Sequence, residues 1–161
     1  MPESAQQQSY GVMFVCLGNI CRSPLAEGRF RYHVEQAGLS DRFHIGSSGT
    51  GAWHAGNPPD PRSIAVAAKY ATDISQQRAQ QVQSNDFLVF DRLVAMDLSN
   101  LKNLQKVEPA DAKAKLQVLL GNQKEVPDPY YGGDNGFETV FAMVDKGTKQ
   151  LLADIRAEMG W

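Results

Sequence analysis

Cys16 and Arg22 are separated by five residues in the run Cys16-Leu17-Gly18-Asn19-Ile20-Cys21-Arg22-Ser23, a spacing that can set a thiol and a guanidinium around one anion. A tight loop containing Gly18 and running into a helix N-terminus can point successive backbone N–H groups at a common centre, and the helix end adds partial positive charge. Arg22 can fork onto two phosphoryl oxygens in the bidentate manner of a planar guanidinium. A thiol at such a centre is drawn toward its thiolate, because the dipole, the N–H donors and Arg22 all favour negative charge. Cys16 would then attack phosphorus, and Ser23 would both cap the helix and donate to the departing sulfur. Charge and position alone would stabilise the transferring group, with no metal or other cofactor required. Taken by itself, a cysteine reads first as a small buried apolar residue. Gly18 and Arg22 at this spacing bring the catalytic reading level with it.

A second chemical segment is Val126-Pro127-Asp128-Pro129-Tyr130-Tyr131-Gly132-Gly133. Displacing a phenolate or alkoxide needs a proton, and a loop carboxylate stiffened between two prolines is a sensible donor. Asp128 would give that proton first and later take one from water. Tyr130 and Tyr131 would line an aromatic slot for a phosphorylated ring. Read alone, Asp-Pro and Gly-Gly are ordinary turn chemistry.

These loops need a scaffold, and the chain alternates strand and helix patterns. Gly11 to Val15 is a short apolar run, as in a strand buried on both faces. Ser23 and Pro24 fit an N-cap and first helical position for a helix reaching Gly38. Phe43 to Ser47 predicts a second strand, Asp60-Pro61 a helix through Tyr70, Arg92 to Met96 a third strand and Leu116 to Leu120 a fourth. Ser99 is the expected cap of a short helix between the last two. Phe137 to Met159 is apolar at helical spacing throughout. Such alternation predicts an α/β fold, a single doubly wound domain with a parallel sheet and helices on both faces. Ligands then bind where strands end, which puts Asp128 on the same edge as Cys16.

Sixteen basic and eighteen acidic residues are scattered without blocks over 161 residues, which leaves no footprint for nucleic acid or an anionic membrane. Residues 1–9 are polar and read as a flexible tail before a domain spanning 10–161. The apolar run near the start is too short for membrane insertion, so the expected compartment is cytoplasmic. Cys16 and Cys21 are too few for a disulfide framework or a structural zinc site. His33 reads as a satisfied histidine of the helix face, and His44 and His54 lack companions at metal-ligand spacing.

Together, the segment Val15 to Pro24 and the segment Asp128 to Gly132 resemble the two signatures of the low-molecular-weight protein tyrosine phosphatase family, and the likeness runs from Val12 onward. The resemblance implies a four-stranded parallel sheet, a phosphocysteine intermediate, phosphotyrosine-containing protein substrates and inorganic phosphate as product. It implies that Leu17, Gly18, Asn19, Ile20, Cys21 and Ser23 surround the phosphate and that Asn19 and Ser47 brace the loop. It also implies crevice walls of Trp53, Tyr130 and Tyr131 and a reversible Cys16–Cys21 disulfide against over-oxidation. Asp97 reads either as a supporting residue that holds the site arginine or as an exposed loop carboxylate. The chain departs from the pattern at Gln77 and Gln80, where relatives commonly carry His and Arg. Arsenate reductases of this type need further cysteines, and phosphoarginine phosphatases typically carry Thr where Ile20 stands. A phosphate-reading module without turnover and a thiol redox sensor are the competing readings.

Overall fold

The structure, a computed structural model, describes residues 9–122, 124–129 and 134–161. Four parallel strands form one sheet: β1 (Tyr10–Cys16), β2 (Phe43–Gly49), β3 (Arg92–Ala95) and β4 (Lys115–Val118), in the order β2-β1-β3-β4. Every residue of β1 is buried. Its side chains alternate between two cores, Val12, Phe14 and Cys16 into one and Met13 and Val15 into the other, as the period of two requires.

Among the described residues five α-helices cover the sheet: α1 (Arg22–Gln36), α2 (Pro61–Lys69), α3 (Asp86–Val89), α4 (Leu98–Val107) and α5 (Asp134–Met159). Leu25, Phe30 and Val34 of α1 and Val140, Val144 and Leu151 of α5 fill the first core. Phe87 of α3 and Leu104 of α4 fill the second. α1 is lashed to α5 by Asp145, which accepts from Arg29 Nε at 2.6 Å and faces His33 Nε2 at 2.8 Å. Among the described residues no helix is long and apolar enough to cross a membrane.

Because β1 lies between β2 and β3, the connections leaving β1 and β3 depart toward opposite faces of the sheet. The C-terminal ends of these two strands therefore open a crevice. Cys16 closes β1, and Asp97 follows β3.

Several boundaries differ from the sequence expectation. α1 starts at Arg22 with Cys21 at its N-cap and no side-chain cap. Ser23 lies inside the first turn, its hydroxyl engaged by the sulfur and by Asn19, so it does not cap. Ser99 does not cap α4 either: Asp97 does, accepting from Asn100 N at 2.7 Å. Asp60 caps α2 through Arg62 N as expected. β2 runs two residues past Ser47 to Gly49, β4 starts one residue early and stops at Val118, and α3 carries no sequence expectation.

Candidate active site

The loop from Cys16 to Arg22 turns through Asn19, whose φ of 59° is left-handed. Asparagine tolerates that region better than other residues with a Cβ, and here its side chain is used in full. Nδ2 donates to Ser23 Oγ at 2.8 Å and to Ser47 Oγ at 3.0 Å, while Oδ1 accepts from Gln80 N at 3.0 Å. Its backbone N–H points at Cys16 Sγ, 3.3 Å away, and Ser23 Oγ lies 3.0 Å from the same sulfur. Two groups thus approach the thiol, one from its own loop and one from the first turn of α1.

The end of β2 backs this loop. Thr50 N donates to Cys16 O and Gly51 N to Leu17 O, both at 2.9 Å. A Cβ on Gly49 would stand 2.7 Å from Leu17 O, so glycine is needed for the approach.

Arg22 is 3% exposed, and three groups hold it. Nη1 donates to Asp97 Oδ2 at 2.6 Å and to Val126 O at 2.9 Å, and Nη2 lies 3.8 Å from Asp128 Oδ2. Burial works against its charge, but Cys16, Asp97 and Asp128 outweigh it, so the guanidinium is held more firmly than usual. Val126 N donates to Met96 O at 2.8 Å, which stitches the Asp128 segment to the end of β3. Burial first, then the charges of Asp60, Cys16 and Asp128, push the Cys21 thiol up to about 12.

These groups border a cavity of about 440 Å³ whose wall includes Cys16, Ile20, Arg22, Trp53, His54 and Asp128. Leu17 and Trp53 stand at the mouth, Trp53 being 71% exposed, and Gly18 lies under the His54 ring. Tyr130 and Tyr131 lie outside the described residues. Every other expected site residue converges here: Cys16, Leu17, Gly18, Ile20, Cys21, Arg22, Trp53 and Asp128 on the cavity, with Asn19, Ser23, Ser47 and Asp97 behind it. Among the described residues no three His, Cys, Asp or Glu side chains gather as metal ligands would.

Three further residues, none of them among the expected site residues, also take part. His54, which beside Trp53 reads as a rim of the crevice, is on the cavity wall. Gln80, noted as a departure, donates its amide to Asn19 and its side chain to Ser47 O at 3.0 Å. Gln77 donates to Pro24 O at 3.1 Å. No spacing rule could reveal these last two, because the bonds span dozens of residues and partly use the main chain.

The family model described as low molecular weight phosphotyrosine protein phosphatase matches residues 11–160. The chain belongs to that family. A relative from Schizosaccharomyces pombe, named low molecular weight phosphotyrosine protein phosphatase, is 45% identical over 150 residues, covering 89% of this chain and 96% of its own. Among solved structures, YfkJ from Bacillus subtilis superposes with a TM-score of 0.87 at 36% identity, covering 94% of this chain and 97% of that one. A drosophila arginine phosphatase superposes at 0.84 with 27% identity, covering 90% and 97%. The low-molecular-weight phosphatase fold, with its four-stranded parallel sheet, is thus shared with solved relatives across most of their length.

Proposed function

We propose that this phosphatase-family chain hydrolyses phosphotyrosine on protein substrates, with Cys16 as nucleophile, Arg22 as phosphate clamp and Asp128 as acid and base. The carrying observation is the convergence of Cys16, Arg22 and Asp128 on one cavity, with Ser23 Oγ and Asn19 N both on the sulfur. The Cys16 thiolate attacks phosphorus, an S–P bond forms, and the ester P–O bond breaks as Asp128 protonates the leaving phenolate. Water then attacks the phosphocysteine and gives its proton to the Asp128 carboxylate. The S–P bond breaks, inorganic phosphate departs and the thiolate returns, with Ser23 donating to it.

Arg22 is fixed on one side by Asp97 and Val126 O, so its remaining edge can meet the phosphoryl oxygens at little reorganisation cost. Ile20 gives the cavity an apolar wall suited to an aromatic ring. Gln77 and Gln80 make braces of their own, which supports turnover over a site that only binds phosphate. Both cysteines are free thiols, the state a reducing compartment maintains, and we place the protein in the cytoplasm.

Turnover of p-nitrophenyl phosphate in EDTA tests the mechanism. Wild type should hydrolyse it and Cys16→Ser should not; a Cys16→Ser protein with wild-type turnover overturns the assignment. Asp128→Asn should slow poor leaving groups about 10²-fold or more and good ones far less. Equal losses on both would reject Asp128 as the acid. A panel of phosphotyrosine and phosphoarginine peptides trapped on Cys16→Ser decides the substrate class.

A further inference from the structure

Ser23, Glu27 and Arg31 stand four residues apart along α1 and so share one face of it. Glu27 plays no part in the chemistry above, yet it ends an unbroken chain of hydrogen bonds from the sulfur. Ser47 Oγ donates to Glu27 Oε1 at 2.7 Å, and Arg31 Nη2 donates to Glu27 Oε2 at 2.6 Å. The carboxylate is largely buried, 12% exposed, whereas Arg31 is 42% exposed.

The direction of each bond follows from its partners. Asn19 Oδ1 accepts the Gln80 amide, so both contacts from Nδ2 must be donations, to Ser23 and to Ser47. Ser47, already accepting from Asn19, has a single proton to place, and the carboxylate takes it. Ser23, also accepting from Asn19, is left with one proton, for which Cys16 Sγ at 3.0 Å is nearer than Ser48 O at 3.4 Å.

We propose that Glu27 is a positioning residue for the nucleophile: by taking the Ser47 proton it turns the Ser47 oxygen toward Asn19 Nδ2 as an acceptor, and so holds the Asn19 side chain in the place from which it reaches Ser23 beside the sulfur. Without that acceptor the buried Ser47 hydroxyl has to turn, and Asn19 contacts the sulfur through its own N–H as well as through Ser23. Arg31 neutralises the carboxylate from the solvent side, which limits any through-space repulsion of the thiolate. This inference rests on Cys16 being the nucleophile.

The test is alkylation of Cys16 by iodoacetamide, followed by peptide mass spectrometry, at pH 6 and pH 9, alongside kcat and KM for p-nitrophenyl phosphate. Glu27→Ala should slow alkylation at pH 6 about tenfold, with convergence at pH 9, and should lower kcat more than KM. Glu27→Asp keeps the charge but falls short of Ser47, and should behave like alanine. Glu27→Gln keeps an acceptor at full reach and should stay within about threefold of wild type. In a Ser47→Ala background, Glu27→Ala should add nothing further. Unchanged or faster alkylation in Glu27→Ala overturns the proposal, as do equal losses in Gln and Ala or additive effects with Ser47→Ala. If Glu27→Ala does not fold, the contrast between Asp and Gln decides in its place: a loss confined to Asp upholds the proposal, and equal behaviour of the two overturns it. A Cys16→Ser protein that retains turnover refutes the nucleophile assignment itself, whereas an inactive Cys16→Ser with indifferent Glu27 variants refutes this inference alone.

Discussion

Arg22 has three partners although it is almost wholly buried, and Asp97 supplies the only bond to it shorter than 2.7 Å among the described residues. Removing one side of a buried charge pair leaves the other uncompensated, at a cost of about 3 kcal/mol or more. Asp97→Ala should accordingly lower stability by about that much in urea denaturation and weaken inhibition by inorganic phosphate. A variant matching wild type in both would show that Val126 O and Asp128 suffice to fix the guanidinium. The two cysteines make a second contrast. With Cys21 pushed up to about 12, iodoacetamide at pH 7 should label Cys16 first, and equal labelling of both would contradict the suppression of the Cys21 thiolate. At this scale residue type and spacing pointed to Cys16, Arg22 and Asp128, and the fold brings these three onto one cavity. The sequence left Asp97 open between a partner of the site arginine and an exposed carboxylate, because only the sheet order brings β3 beside β1. Gln80 stayed hidden because its decisive bond uses the backbone amide.

Elements were legible where burial is one-sided or complete. β1 announced itself as a continuous apolar run and α5 as a long helical period, and both stand within three residues of the expected bounds. The start of α1 was misplaced by cap chemistry: Ser23 has the right residue type, but the sulfur and Asn19 compete for its hydroxyl and win. The junction of β2 with the phosphate loop depends on Gly49. An alanine there would set its methyl 2.7 Å from Leu17 O and 3.1 Å from Asn19 N. Those atoms are backbone and cannot swing aside. Gly49→Ala should therefore cut kcat/KM at least about tenfold while costing about 1–3 kcal/mol. Intact activity with lowered stability would mean that the loop absorbs the push without moving the sulfur.

The molecule as a whole is tied across its first core by the cluster of Arg29, His33 and Asp145. Burial lowers His33 from its ordinary 6.5 despite the opposing pull of Asp145. The unfolded chain therefore binds the His33 proton at higher pH than the folded one does, and stability is lost as pH falls from the unfolded value through the folded one. Asp145 is opposed by burial, but hydrogen bonding and charge from Arg29, with help from His33, hold it below 3.8. Its contribution is complete above its unfolded value and disappears only in stronger acid. Melting temperature should thus fall in two stages on acidification, the first beginning below about pH 6.5, and His33→Gln should abolish the first stage alone. A His33→Gln curve parallel to wild type from pH 7 to 5 would assign that stage elsewhere.

The Gln80 bond to Asn19 comes from the main chain. A peptide N–H is common to every residue type but one, so this bond is blind to which side chain occupies the position. Proline alone, with no hydrogen on its nitrogen, would leave the Asn19 oxygen unanswered.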